Sequence, residues 1–296
     1  LTLDGSVATL VGQPGDGVKK ISSLFNITRI YNACCAVGYM RRAIALARDY
    51  AVKRKVFGRA LAEHGLHLET LANLQVEFEA AFHLVFHAVE LLGKEETGEA
   101  SAAESAVLRL LTPLAKLYTA KQAIAVVSEA LEAFGGAGYV EDTGLPHLLR
   151  DAQVLAIWEG TTNVLSLDVL RAIRKENALE PFINDIVARL NSIDLPVLQH
   201  SKTRILGAVN QLKQYSTDMA LMGDEEQQIC ARNYAFCLTQ VYAGSLLLEH
   251  AQWSFHHAKE PQALSVALRW CSRDLTSLLT PSQEYQAQSR ELAMDS

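Results

Sequence analysis

Residues 101–136 read SAAESAVLRLLTPLAKLYTAKQAIAVVSEALEAFGG. Ser101 with Glu104 three positions later is a capping-box signature, in which the hydroxyl and the carboxylate satisfy each other's backbone N–H groups. Apolar residues then recur at helical spacing until Gly135-Gly136, a natural stop. The spacing predicts a helix from 101 to about 134, with a kink or local break at Pro113, which has no N–H to donate. A run this long fixes the fold class as helical.

Working outward, the same texture extends both ways. Ile30, Ala33, Val37, Met40, Ile44 and Ala47 predict a helix over 28–54. Leu71, Leu74, Phe78, Phe82, Val85, Val89 and Leu92 predict another over 66–94, with Gly93 and Gly98 at its end. After 136 a loop holds Gly138, Gly144 and Pro146, and helix resumes over 148–154 and 162–175. Long helices joined by short loops imply an antiparallel bundle. Pro181, Asp194 and Pro196 mark a change of texture near 175–182, followed by apolar-periodic stretches near 183–192, 198–222, 225–257 and 261–280. The last sixteen residues are polar and are expected to fray. Residues 1–17, with five glycines and prolines among short apolar pieces, read as turns and short strands. The chain starts at Leu1 without a signal-peptide pattern, which reads as the interior of a longer polypeptide. The expected class is all-α, with a short β remnant at the start.

Composition narrows the function classes. The 296 residues are 49% hydrophobic and 20% charged, with 17 Gly and 7 Pro, which excludes a disordered or collagen-like chain. No run of ~18 uncharged apolar residues offers a membrane span. Five Cys without C-x-x-C spacing, two of them adjacent at Cys34-Cys35, imply reduced, buried thiols in an intracellular reducing compartment, cytoplasm and mitochondrion alike. Net charge is −6, and dividing the chain at residue 173 leaves −3 on either side. Nucleic-acid binding needs a basic face; residues 174–296 instead carry the acidic run Asp224-Glu225-Glu226 and scattered arginines.

Three short strings could carry chemistry. In Ile157-Trp158-Glu159-Gly160-Thr161-Thr162-Asn163 a carboxylate sits beside a bulky aromatic in a turn. Apolar surroundings disfavour a carboxylate's charge and suit it to a general base near neutral pH. The plain alternative is a helix start, with Thr161 or Thr162 as cap. Arg54-Lys55-Val56-Phe57-Gly58 is either a basic helix end with a glycine stop or an anion site with Arg54 as a fork donor. Phe134-Gly135-Gly136-Ala137-Gly138-Tyr139 follows a helix, which rules out a Rossmann loop. It leaves a helix cap and turn, or a surface that lets a cofactor lie against backbone. His64, His67, His83, His87, His256 and His257 form no metal-ligand spacing and read as packed or solvated imidazoles.

Taken together, these strings resemble the acyl-CoA dehydrogenase family. Phe25-x-x-Thr28-Arg29, Arg54-x-x-Phe57-Gly58, Gly135-Gly136-x-Gly138-Tyr139, Arg150-Asp151 and Trp158-Glu159-Gly160-Thr161 stand in its order and spacing, over residues 5–175. The stretch from Leu10 to Gly17 looks like the end of that family's middle β domain. The helical region beyond 178 is similar to the alkylation-response (AidB-type) branch. The resemblance implies three segments: the end of a β domain over 1–20, a C-terminal helical bundle over 21–177 and an appended helical region over 178–296. It implies FAD as cofactor and an acyl-CoA thioester as substrate. Glu159 would take the α-proton while a hydride leaves the β-carbon for the flavin. Arg54, Phe57, Glu132, Gly135, Gly136, Thr161 and Asn163 match cofactor positions. Arg29, Trp158 and Gly160 match substrate-side positions, with Arg29 toward the CoA portion. A homodimer or homotetramer with FAD at its seam is implied, with the electron acceptor open. Several residues depart from the family pattern: Glu132 and Asn163 where Gln is usual, Asn26 for Asp, and Val56 for a hydroxyl residue. The alternatives are an AidB-type protein that binds nucleic acid or another partner, and an inactive helical assembly module.

Overall fold

The computed structural model describes residues 2–279 and 283–294. Its ten helices are α1 (Gly17–Lys53), α2 (Gly65–Thr97), α3 (Ala102–Glu132), α4 (Leu145–Leu155), α5 (Thr162–Glu176), α6 (Leu179–Asn191), α7 (Gln199–Ala220), α8 (Asp224–His256), α9 (Pro261–Cys271) and α10 (Gln283–Met294). The strands among the described residues are β1 (Lys55–Val56) and β2 (Arg59–Ala60), an antiparallel pair. The all-α expectation holds.

The helix read first from the sequence is the axis of the bundle. Ser101 Oγ accepts from the Glu104 N–H at 3.2 Å, and Glu104 Oε2 accepts from the Ser101 N–H at 2.9 Å. Lys94 adds an ion pair to Glu104 at 2.9 Å, so these hydrogen bonds hold the Glu104 carboxyl down at about 2. Ser101→Ala is expected to lower stability by about 1 kcal/mol, read from urea unfolding midpoints. Beyond the cap, Leu110, Leu111, Leu114, Leu117, Tyr118, Val126 and Val127 are all buried. A helix apolar on every side must be surrounded, and α3 packs against α1, α2, α4, α5, α6 and α8. The expected break at Pro113 does not occur. The missing hydrogen bond costs ~3 kcal/mol in an isolated helix, but here the flanking leucines are locked in the core.

The region after residue 177 is built around α8, whose Leu238, Val241, Tyr242, Leu247 and Leu248 are buried. It packs against α6, α7 and α9 and also against α2, α3 and α5. Gly244 makes room for Ile205 and for Trp270, which is fully buried and donates its indole N–H to Gln240 O at 3.0 Å. Asn177 in the left-handed conformation (φ 53°) turns α5 into α6. Arg174 then pairs with Asp224 at the start of α8, 2.9 Å away.

Further expectations are corrected. Residues 2–16 form no strand, and α1 begins at Gly17, eleven residues before the expected start. A lone strand has no partner for its ladder bonds. Of the polar last sixteen residues, 283–294 form a helix and the others lie outside the described residues. Cys34 and Cys35 are half-buried rather than buried, though both are free thiols.

Candidate functional site

Helix α4 ends at Leu155, whose carbonyl accepts from Asn32 Nδ2 of α1 at 3.2 Å. The Ile157 and Trp158 N–H groups close the last turn onto Val154 O, at 2.9 and 3.1 Å. Two consecutive left-handed residues follow, Glu159 (φ 54°) and Gly160 (φ 96°). Gly160 takes that conformation freely, and a Cβ there would press on Leu165 at 3.0 Å. Glu159 does not take it freely: a left-handed residue other than glycine costs of order 1–3 kcal/mol and persists only where its surroundings dictate it. Thr161 then occupies the N-cap of α5 in extended conformation, its hydroxyl making no capping bond.

The surroundings are three helices carrying charge. The Glu159 side chain is 18% exposed, and its Oε1 lies 3.5 Å from Nε of Arg29 on α1. That distance is an ion pair without a hydrogen bond, and among the described residues the buried Arg29 Nε has no hydrogen-bond partner. Arg29 Nη1 donates to Asp168 Oδ2 on α5 at 2.7 Å. The other Asp168 oxygen accepts from Arg109 Nη2 on α3 at 2.7 Å, and Arg109 Nε reaches Glu176 at 2.8 Å. Beneath the turn lies Lys116 of α3, fully buried, donating from Nζ to Gly160 O at 2.6 Å. Burial pulls this ammonium down to about 8; Glu159 pulls it back up and Arg29 pushes it further down.

The arrangement can do acid–base chemistry. Glu159 is a carboxylate of low exposure, attracted by a cation yet not tied by a hydrogen bond. Its own backbone N–H donates to no acceptor among the described residues. Trp158 stands beside it, partly exposed.

The other sequence-derived residues fall in different places. Arg54 ends α1 with an exposed side chain that has no ion-pair partner among the described residues. Phe57 sits at the tip of the β1–β2 hairpin with φ 49° and is 96% exposed. Phe57 and Glu132 line one cavity of about 360 Å³, with His64 and His67. Gly135 (φ 61°) terminates α3, and the space where side chains of Gly135 and Gly136 would stand is open. Gly138 is different: a Cβ there would lie 2.0 Å from Leu131 O, so only glycine fits. Asn163 accepts from Arg232 of α8 at 3.3 Å. Arg29, expected toward the CoA portion, pairs with Glu159 and Asp168 with its side chain largely covered. His83 packs on His250, ring centroids 4.3 Å apart, and burial followed by the His250 charge holds it down at about 4.

Sequence reasoning missed Lys116, Arg109 and Asp168. A signal for Lys116 was present: it is the lone charge between Arg109 and Lys121, in the most apolar part of α3.

Comparison with known proteins follows the same lines. The family profile "Acyl-CoA dehydrogenase, C-terminal domain" matches residues 15–174, and "Acyl-CoA dehydrogenase 11 C-terminal domain-like" matches 177–296. The chain is 46% identical over 278 residues to acyl-CoA dehydrogenase family member 11 of Caenorhabditis elegans, covering 92% of this chain and 45% of that protein. It is 33% identical over 189 residues to the putative acyl-CoA dehydrogenase AidB of Escherichia coli (strain K12), covering 64% of this chain and 34% of that protein. The crystal structure of Caenorhabditis elegans ACDH-11 in complex with C11-CoA superposes with a TM-score of 0.92 at 42% identity, over 99% of this chain and 51% of that one. The chain thus spans about half the length of these relatives or less.

Proposed function

This chain belongs to the acyl-CoA dehydrogenase family, and on that premise we propose that it supplies the helical-bundle part of a FAD-dependent enzyme that introduces an α,β double bond into an acyl-CoA thioester. The observation that carries the reading is the Glu159–Gly160 turn, which presents a carboxylate of low exposure, ion-paired at 3.5 Å and free of hydrogen bonds. The similarity to ACDH-11, whose crystal structure is in complex with C11-CoA, supports an acyl-CoA substrate. The two profile matches support a catalytic-family bundle over 21–177 and an appended helical region over 178–296.

The residues at the hairpin and glycine turn fit a flavin dinucleotide. Arg54 offers an unpaired guanidinium suited to a pyrophosphate. Phe57 offers an exposed aromatic face, and Gly135 and Gly136 offer bare backbone with open space above it. Glu132 is exposed in the same cavity and can turn to solvent, away from a phosphate. These exposed elements support a cofactor shared with a second polypeptide surface, as in a homodimer or homotetramer. Bound flavin would supply the acceptor for the hydride that leaves the β-carbon. The five free thiols support a reducing compartment.

In this reading Glu159 accepts the α-proton. The carboxylate needs no hydrogen bond broken before it reaches the substrate, which keeps the transfer inexpensive. The unpartnered Glu159 N–H is available to the thioester oxygen as negative charge develops there. Trp158 forms wall against the acyl group and keeps water from the base.

The test is to load the protein with FAD and add acyl-CoA thioesters from short to long, undecanoyl-CoA included, under anaerobic conditions. Bleaching of the visible flavin band by at least one thioester is expected. A flavin band that persists with every thioester would contradict the reading.

A further inference from the structure

A fully buried ammonium with one carbonyl as its hydrogen-bond acceptor is an expensive group to keep. Desolvation of a charge costs far more than desolvation of a neutral donor, and a hydroxyl or amide could tie a carbonyl equally well. Lys116 is such a group: it is 0% exposed, and among the described residues its acceptor is Gly160 O, at 2.6 Å. The position tells what the charge is for. The bonded carbonyl belongs to the residue directly after Glu159, and both residues hold left-handed conformations. Arg29 of α1 lies against the Glu159 carboxylate itself. Lys116 of α3 holds the backbone of that turn.

We propose that Lys116 is a positioning residue for the Glu159 base, its ammonium tying the Gly160 carbonyl and, together with Arg29, providing the positive field that holds the carboxylate over the turn. The inference rests on the reading of Glu159 as the base. The groups that face Lys116 divide by element. Arg29 comes from α1 and Glu159 from the turn; behind Arg29, Asp168 of α5 bridges it to Arg109 of α3, and Glu176 closes the chain of charges. Asp168 is saturated by two guanidinium groups at 2.7 Å each. Glu159 is the carboxylate in this cluster that has no hydrogen bond, and is therefore the one free to answer to Lys116.

Charge coupling is reciprocal: if Lys116 acts on Glu159, then Glu159 acts on Lys116 to the same extent. That makes the proposal measurable without cofactor or turnover. Burial places the Lys116 midpoint at about 8, below the ordinary lysine range, with Glu159 opposing the drop. In the protein labelled with carbon-13 lysine, one side-chain signal should titrate near that value. Its loss in Lys116→Met identifies it; Lys116→Arg serves if the Met variant does not fold.

Glu159→Gln should then move the Lys116 midpoint down by about half a pH unit or more. A midpoint that stays within about 0.2 of the wild-type value, or rises, would overturn the coupling. In the FAD-loaded protein, Lys116→Met should lower kcat for acyl-CoA about tenfold with KM within about twofold, and Lys116→Arg should recover part of the loss. Unchanged kcat in a folded Lys116→Met would also overturn the proposal. Failure of the base reading looks different: Glu159→Gln would then retain turnover, whatever Lys116 titrates.

Discussion

Glu159→Gln should reduce acyl-CoA turnover by roughly 10²- to 10⁴-fold, the contribution of a positioned general base. The substitution keeps the size of the side chain and leaves the left-handed turn its ties through Asn32, Val154 and Lys116. It replaces a carboxylate by an amide, which cannot take a proton from carbon. The loss should appear in kcat with little change in KM, because a base at Glu159 would act on the α-proton in the transition state rather than on the thioester in the ground state. Thermal unfolding of the variant should match wild type within a few degrees, which separates lost chemistry from lost structure. Turnover above a tenth of wild type would place the base elsewhere.

The second large effect is on stability. Asp168→Asn should destabilise the protein by about 3 kcal/mol, the lower end of what breaking a buried pair costs, since the side chain is 17% exposed. Asp168 is the shared acceptor of Arg29 and Arg109, at 2.7 Å from each. Without its charge, Arg29 and Lys116 are left with Glu159 alone, while Arg109 keeps Glu176. An Asn can accept one hydrogen bond from a guanidinium but offsets none of the positive charge. Glu176→Gln is the control: that carboxylate is 38% exposed, and its removal should cost under about 1 kcal/mol. Urea midpoints of the two variants measure the difference, and equal midpoints would show that the Asp168 pairs contribute no more than surface ones.

The helical framework was legible wherever a residue type has one structural meaning. Ser101 and Glu104 announced the start of α3, and Gly135 its end, because capping and the left-handed stop depend on neighbouring residues alone. The start of α1 was missed because Gly17 and the glycines before it look like turn material, and the helix there is decided by what it packs against. Pro146 looks like loop material beside Gly144, although proline at the first turn of a helix is well tolerated; it opens α4. The β1–β2 hairpin, two residues to a strand, is too short for any alternation to show.

The candidate site was legible in part for a similar reason. Glu159, Arg54 and Phe57 stood out through unusual local strings. The partners of Glu159 could not be read in this way. Arg29 is 130 residues away in sequence, and its choice of Asp168 and Glu159 follows from how α1 and α5 cross α3. Lys116 was visible as a charge in an apolar run, but its partner is a backbone carbonyl 44 residues on, which no side-chain pattern encodes.

The central claim is that Glu159 removes the α-proton of an acyl-CoA thioester. Solvent deuterium incorporation measures that step alone. The FAD-loaded protein is incubated with an acyl-CoA in deuterium oxide under anaerobic conditions, and the thioester is analysed by mass spectrometry. Deuterium appearing at the α-carbon with wild type and falling at least ~100-fold with Glu159→Gln is the predicted result. Equal incorporation by the two proteins would contradict it.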